Sequence, residues 1–294
     1  MKPAGSVALI TPSYRGDFER CKLLCASVDR FLTSACDHYI LVDDDDFSLF
    51  ASLANAKRHI VNEQDILPGW LHSFRPPFGA NARKLWVSLK TWPMRGWHVQ
   101  QLRRIAIASH VEAEALLYCD SDMLFVREFA PESLWKSSGL RLYRNKFGID
   151  GELAEQGAKH RQWTKQAASL NGLPAPDFPA DDYINNLVSW RRDHILAMCS
   201  HIEVTTGKDW LSAIASSRTF SECQIYGAYA DGVCKGQGHW HTGSSLCRTY
   251  WSGEALNESG LKELLTDLES EQVAIGIQSF TGTDPTLLRR LIDR

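Results

Sequence analysis

The sequence predicts an α/β fold: a mixed, mostly parallel sheet flanked by helices, with an insertion on the side away from the first strands. Three observations carry that prediction. Short apolar runs recur, SVALITP at 6–12, HYILV at 38–42 and ALLYC at 115–119. They read as strands covered on both faces, because both residue parities are apolar. Two strand-then-helix units fit into the first 60 residues, which implies parallel pairing through right-handed crossovers. Two of the runs then end in aspartates, LVDDDD and YCDSD. In a parallel sheet those aspartates stand beyond the carboxyl ends of the strands, where ligands bind.

Each element follows from local signals. Proline ends the first run, SYRGD makes a loop, and Asp17 is placed to cap a helix. Phe18, Cys21, Leu24, Cys25 and Val28 recur at helical spacing, so a helix is expected over 18–32. The second strand, His38 to Val42, ends in Asp43 to Asp46. Residues 62–97 are rich in Trp, Pro, Arg and Gly (LPGW, FRPPFGANARKLW, TWPMRGW) and read as an irregular or hairpin insertion. A helix from about Trp97 to Ala113 leads into the aspartate-ended strand. Beyond Pro131 the chain turns polar, with a helix over about 152–170 and then a Pro-rich loop, an excursion suited to a lid or an acceptor site. NNLVSW, 185–190, returns to the sheet. Helices are expected near 193–201, 208–217 and 220–230. GHWHTGSSLCRTYW reads as a turn and strand, LNESGLKELLTDLES as a helix, QVAIGIQSF as a strand, and DPTLLRRLID as a last helix capped by Thr283. One domain over 1–294 is expected, as a first half 1–130, a second half 131–250 and a helix–strand–helix segment 251–294.

Composition narrows the functional classes. The chain has 294 residues, 44% of them hydrophobic, enough for a sizeable core. The formal net charge is −3, so a general polyanion or nucleic-acid binder is not indicated. The pairs Arg103-Arg104, Arg191-Arg192 and Arg289-Arg290 read first as solvated helix faces. No run approaches the roughly 20 apolar residues of a membrane span, and the N-terminal apolar run is too short for a signal peptide. A cytoplasmic protein is expected, with peripheral contact at the inner face of a membrane left open. The eight cysteines contain no Cys-x-x-Cys and no zinc spacing, so reduced, mostly buried thiols are expected.

Asp120 and Asp122 carry the chemistry. A buried carboxylate is costly unless paired or bound to metal. Two of them at alternate positions where a strand ends can reach one hard divalent cation, and Mg²⁺ or Mn²⁺ commonly takes one or two carboxylates plus substrate phosphates. Such a cation offsets diphosphate charge in a leaving group. The plain alternative is an exposed turn with Asp122 as a helix cap. His239 and His241, in GQGHWHTG, are the candidates for a further ligand, since alternation puts both on one face. His241 is preferred; the alternative is one surface and one core histidine.

Taken in order, TPSYRGD, LVDDDDF, RGWHVQQLRRIA, YCDSDMLFVREF, LVSWRR and TFSECQIYGAY resemble a bacterial family of uncharacterised glycosyltransferase-like proteins with the GT-A fold. The resemblance spans roughly residues 6–230. It implies a Rossmann-like nucleotide-diphospho-sugar transferase dependent on Mn²⁺ or Mg²⁺. The donor would be a nucleoside-diphosphate sugar, UDP first, and the acceptor a glycan or lipid-linked glycan in cell-surface polysaccharide synthesis. Thr11, Ser13, Tyr14 and Arg15 would hold the nucleotide, with Tyr14 stacked on the base. Asp43 or Asp44 would reach uracil or ribose. Asp120 would touch ribose or metal, and Asp122 the metal. Arg103 or Arg104 would meet the diphosphate, and Gln100 or Gln101 would line the donor site. Glu222, in the first turn of a helix capped by Ser221 or Thr219, would act as general base if transfer inverts. Asp181 and Asp182 are its rivals. The tryptophans of 70–97 would stack on sugar or fill core. Two other classes remain: a nucleotide-sugar-binding protein without transfer, and an aspartate-nucleophile phosphatase. The latter usually carries its motif on the first strand with Thr or Val after the second Asp, whereas here the motif starts at 120 and Met123 follows.

Overall fold

The computed structural model describes residues 5–75, 84–150 and 155–292. Its centre is a five-stranded sheet in the spatial order Val188–Arg191, Ala115–Tyr118, Val7–Pro12, Asp37–Val42, Arg58–Asn62. The last four pair parallel, and Val188–Arg191 closes the edge antiparallel. The expected mixed, mostly parallel sheet flanked by helices is therefore what the chain forms. Alternation decides the two faces of the first strand. Ala8 and Ile10 enter one core with Val99, Leu102, Ile105, Trp190 and Tyr226. Val7 and Leu9 enter another with Leu24, Val28, Met123 and Phe125. A strand buried on both sides needs an unbroken apolar run, which VALIT supplies.

The crossovers set where a ligand can sit. The chain builds outward from Val7–Pro12 through the helix Phe18–Phe31 to Asp37–Val42 and then Arg58–Asn62. It then returns to the opposite side of the first strand, through the helix Gly96–Ala106, to Ala115–Tyr118. The order reverses between Val7–Pro12 and Ala115–Tyr118, and the crevice at such a reversal is where α/β sheets bind ligands. The loops leaving those two strands carry Asp17 and Asp120–Asp122.

The insertion is a hairpin sheet, His72–Phe74, Leu85–Val87 and Met94–Arg95, as the composition implied; residues 76–83 lie outside the described residues. The expected helix over 152–170 is observed as Glu155–Leu170. GHWHTGSSLCRTYW divides between two sheets. His239–Thr242 runs parallel to Gly139–Tyr143, and Cys247–Tyr250 runs parallel to Ala274–Ile277. Ala274–Ile277 in turn lies antiparallel to Met123–Phe125, so the C-terminal segment packs directly behind the aspartate turn. Arg20 ties it down, donating to the carbonyls of Ile277 at 3.3 Å and Thr283 at 2.7 Å. Thr283 is not the cap of the last helix. Its hydroxyl accepts from the Leu256 N–H at 3.0 Å, while Asp284 accepts from Thr286 N–H at 2.8 Å at that helix start. Among the described residues, which include all eight cysteines, no disulfide forms, and no helix is long and apolar enough to cross a membrane.

Candidate active site at the strand reversal

The turn Asp120–Met123 begins where the parallel ladder ends. Cys119 N–H still donates to Ile10 O at 2.9 Å, and Met123 N–H closes the turn on Asp120 O at 3.2 Å. The two carboxylates then part company. Asp120 is partly exposed and bonds Arg104, which also donates to Glu222 Oε1 at 2.7 Å. Asp122 turns inward. Its Oδ2 accepts from Ser279 N–H at 3.2 Å, whereas Oδ1 is buried with no hydrogen-bond partner. Asp17 faces the same turn, accepting from Ser121 Oγ at 3.4 Å. It occupies the N-cap position of Phe18–Phe31 but makes no capping bond with its side chain.

The electrostatics record crowding. Burial, aided by the charges of Asp120 and Asp17, pushes the Asp122 carboxyl up to about 7. Burial likewise raises Asp17, against the pull of its Ser279 hydrogen bond. Three carboxylates share the crevice, with Arg104 bonded to one and Arg20 exerting only a weaker pull on the other two. Such a set favours an added cation or the uptake of a proton.

Glu222 is held at three points. Ser221 caps its helix, Glu222–Gly227, accepting from Gln224 N–H at 3.5 Å. Gln101 Oε1 accepts the Glu222 N–H at 3.0 Å, and Arg104 binds the carboxylate. Gln101 and Arg104 lie on the helix Gly96–Ala106, so that element positions Asp120 and Glu222 together.

Comparison with known proteins bears on the whole chain. A family of unknown function, DUF6492, matches residues 6–293. The chain belongs to DUF6492. Among solved structures, an active-site mutant of LgtC, a GT-A glycosyltransferase, aligns over 97% of this DUF6492 chain and 95% of its own. The TM-score is 0.47 and the identity 11%. No curated protein matches.

Several residues that the sequence singled out have other partners in this DUF6492 chain. Arg104, expected at a diphosphate, is committed to Asp120 and Glu222. Arg103 is buried in a forked bond to Glu63, which also accepts from Trp86 Nε1 at 3.1 Å. Gln101 is buried beneath Glu222 rather than lining a cleft. Thr11 is buried with its hydroxyl 2.9 Å from His38 Nε2. Ser13 is buried as well, and Tyr14 is exposed, its ring so close over Gly16 that a Cβ there would stand 2.4 Å from it. Arg15 bonds Asp46 at 2.5 Å, Asp43 lies 3.4 Å from Lys84, and Asp44 accepts from Asn62 at 2.8 Å. Asp182 accepts from Gln224 Nε2 at 2.8 Å and Ile184 N–H at 3.0 Å. Asp181 accepts from Phe147 N–H at 3.0 Å.

The two histidines do share a face, as alternation requires, but that face meets the segment after Glu222. His239 Nε2 stands 3.0 Å from Tyr226 OH and Nδ1 3.2 Å from Leu140 O, and burial lowers it to about 4. His241 Nε2 stands 2.7 Å from Asp231, which also accepts from Arg144 and Tyr183. Among the described residues no three His, Cys, Asp or Glu side chains group as a ready-made metal centre. Of the pair expected to hold a hard cation, Asp120 is bonded to Arg104, and Asp122 keeps one buried oxygen, Oδ1, without a partner. Ser279 and Ser121, unremarked in the sequence, and Asp17, read there only as a cap, complete the site.

Proposed function

We propose that this protein is a glycosyltransferase that moves a sugar from a nucleoside-diphosphate donor to a glycan or lipid-linked acceptor. The observation that carries the reading is the crowded carboxylate crevice at the strand reversal, coupled through Arg104 to Glu222. A cleft with surplus negative charge does not recruit a diphosphate unaided; it does so together with a cation. Asp120 and Asp122 would hold Mg²⁺ or Mn²⁺, which offsets the diphosphate charge and makes it a better leaving group. The nucleoside would lie along the carboxyl edge, past the loop Thr11–Arg15, with Tyr14 as the exposed ring for the base.

In the transfer, the acceptor hydroxyl oxygen bonds to the anomeric carbon. The bond from that carbon to the diphosphate oxygen breaks, and the nucleoside diphosphate departs with the electron pair. Glu222 is the carboxylate assigned to the acceptor hydroxyl, and takes its proton if the configuration inverts. Arg104 keeps Glu222 and Asp120 at a fixed separation, so donor and acceptor ends stay in register.

The test is to incubate the protein with UDP-, GDP- and TDP-sugars, each with Mn²⁺ and with Mg²⁺, and to follow release of nucleoside diphosphate. Release that depends on the cation and disappears in Asp122→Asn supports the proposal. Turnover of p-nitrophenyl phosphate with a covalent aspartyl phosphate would replace it with the phosphatase.

A further inference from the structure

The helix Gly96–Ala106 presents Trp97, Gln101 and Arg104 at i, i+4 and i+7, on one face. Arg104 and Gln101 serve Glu222, as described. Trp97, a turn nearer the helix start, is 50% exposed and lies against Trp163 of Glu155–Leu170, with ring centroids 5.8 Å apart and planes at 34°. The band continues. His160 lies 4.9 Å from Trp163 at 31°, and its Nδ1 is 3.6 Å from Asp182 Oδ2. Asp182 Oδ1 accepts from Gln224, two residues after Glu222. One solvent-exposed indole, Trp97, and a partly buried one, Trp163, therefore run on through an imidazole and a carboxylate into the helix that carries Glu222.

That combination has the chemistry of a sugar surface. The C–H face of a pyranose packs on an indole, and its hydroxyls need donors and acceptors at the ring edge. At 1.5 Å of rise per residue, Trp97 and Arg104 stand about 10 Å apart along the helix axis. The interval leaves room for one sugar unit at the carboxylates and another on the indole.

We infer that the Trp97–Trp163 surface, with His160 and Asp182, is an acceptor subsite for an oligosaccharide of two or more pyranose units, the penultimate sugar stacking on Trp97. As an acceptor site it rests on the transferase reading above. Binding of the full chain to a glycan array running from monosaccharides to hexasaccharides tests it, using wild type, Trp97→Ala, Trp97→Phe and Asp182→Asn. Melting temperatures establish that each variant is folded, and Trp97, being half-exposed, tolerates replacement. Wild type retains a subset of oligosaccharides and no monosaccharide. Trp97→Ala weakens the best glycan tenfold or more, Trp97→Phe restores most of the affinity, and Asp182→Asn weakens it further. Affinity unchanged in Trp97→Ala, monosaccharides bound as tightly as oligosaccharides, or no glycan retained would each overturn the inference. Nucleotide binding is read separately, as the melting shift with UDP or GDP and Mn²⁺. A nucleotide shift with no glycan retained leaves the transferase and removes the subsite. Trp97-dependent glycan retention without any nucleotide shift leaves a glycan site and removes the transferase.

Discussion

Asp43–Asp46 and the trio Asp17, Asp120 and Asp122 stand at the carboxyl edge of the same sheet, and they are treated in opposite ways. In the first region every carboxylate has a cation or donor beside it: Lys84 reaches Asp45 and stands 3.4 Å from Asp43 Oδ1, a buried oxygen that has this charge but no hydrogen bond, Arg15 bonds Asp46, and Asn62 donates to Asp44. The hydrogen bond from Lys84 holds Asp45 below the ordinary carboxylate range. In the second region burial and mutual repulsion raise Asp17 and Asp122, and one carboxylate oxygen is left orphaned. Aspartates in a row are thus no guide to a site. The instructive quantity is charge left without compensation, because only that creates a demand for a cation or ligand.

The comparison breaks most visibly at Arg104. Arg104→Met leaves Asp120 and Glu222 facing each other without their shared guanidinium. A buried ion pair stripped of one partner costs about 3–5 kcal/mol, so urea denaturation should show a loss of that order, and Arg104→Lys, lacking the fork, recovers part of it. A loss below 1 kcal/mol would mean that the two regions differ less than the geometry says.

Asp122 sharpens the contrast through pH. Its folded carboxyl, near 7, lies above the ordinary 3.8, so between those values the folded chain binds more protons than the unfolded one. The stabilisation is complete below about pH 4 and is lost as pH rises through 7. At roughly 1.4 kcal/mol per unit, discounted for coupling with its neighbours, about 2 kcal/mol is expected. Asp122→Asn should be the more stable protein at pH 8 and should flatten this slope, while losing cation-dependent donor turnover. Mn²⁺ titrated into wild type near pH 6.5 should release protons, read as a heat that depends on the buffer.

The smallest effect belongs to the compensated region. Lys84→Met removes a cation from Asp43 and the half-exposed Asp45, for about 1 kcal/mol. Equal losses in Lys84→Met and Arg104→Met would erase the distinction between the regions.

Much of this was legible in the sequence. Three apolar runs, two of them ended by aspartate, gave three of the four parallel strands and the edge where the aspartates stand, because burial on both faces leaves a one-dimensional trace; Arg58–Asn62, at the sheet edge and only partly buried, was not read as a strand. Ser221 and Glu222 were legible for the same reason, since a cap and a first-turn acid are local signals. What stayed hidden depends on distant pairing. Ser279 reaches Asp122 across 157 residues: the strand in QVAIGIQSF was legible, but nothing near either residue announces its antiparallel pairing with Met123–Phe125. Asp17 sits at a cap position with its side chain turned elsewhere, so the local rule was satisfied in place and not in bonding. Alternation put His239 and His241 on one face, but the strand's partner, Gly139–Tyr143, decided what that face meets. Arg104 read as one of a solvated pair or, by resemblance, as a diphosphate contact; only the fold shows it buried between two acids.

In the proposed reaction the carboxylates at the strand reversal would take up a cation and, with it, a nucleoside diphosphate. Thermal denaturation of wild type and Asp122→Asn, with UDP, GDP, CMP or TDP and with or without Mn²⁺, measures it directly, since a ligand of the native state raises the melting temperature by mass action. One nucleotide should raise the melting temperature of wild type in the presence of Mn²⁺, and fail to do so in Asp122→Asn. No shift with any nucleotide, or the same shift in both proteins, would contradict the account.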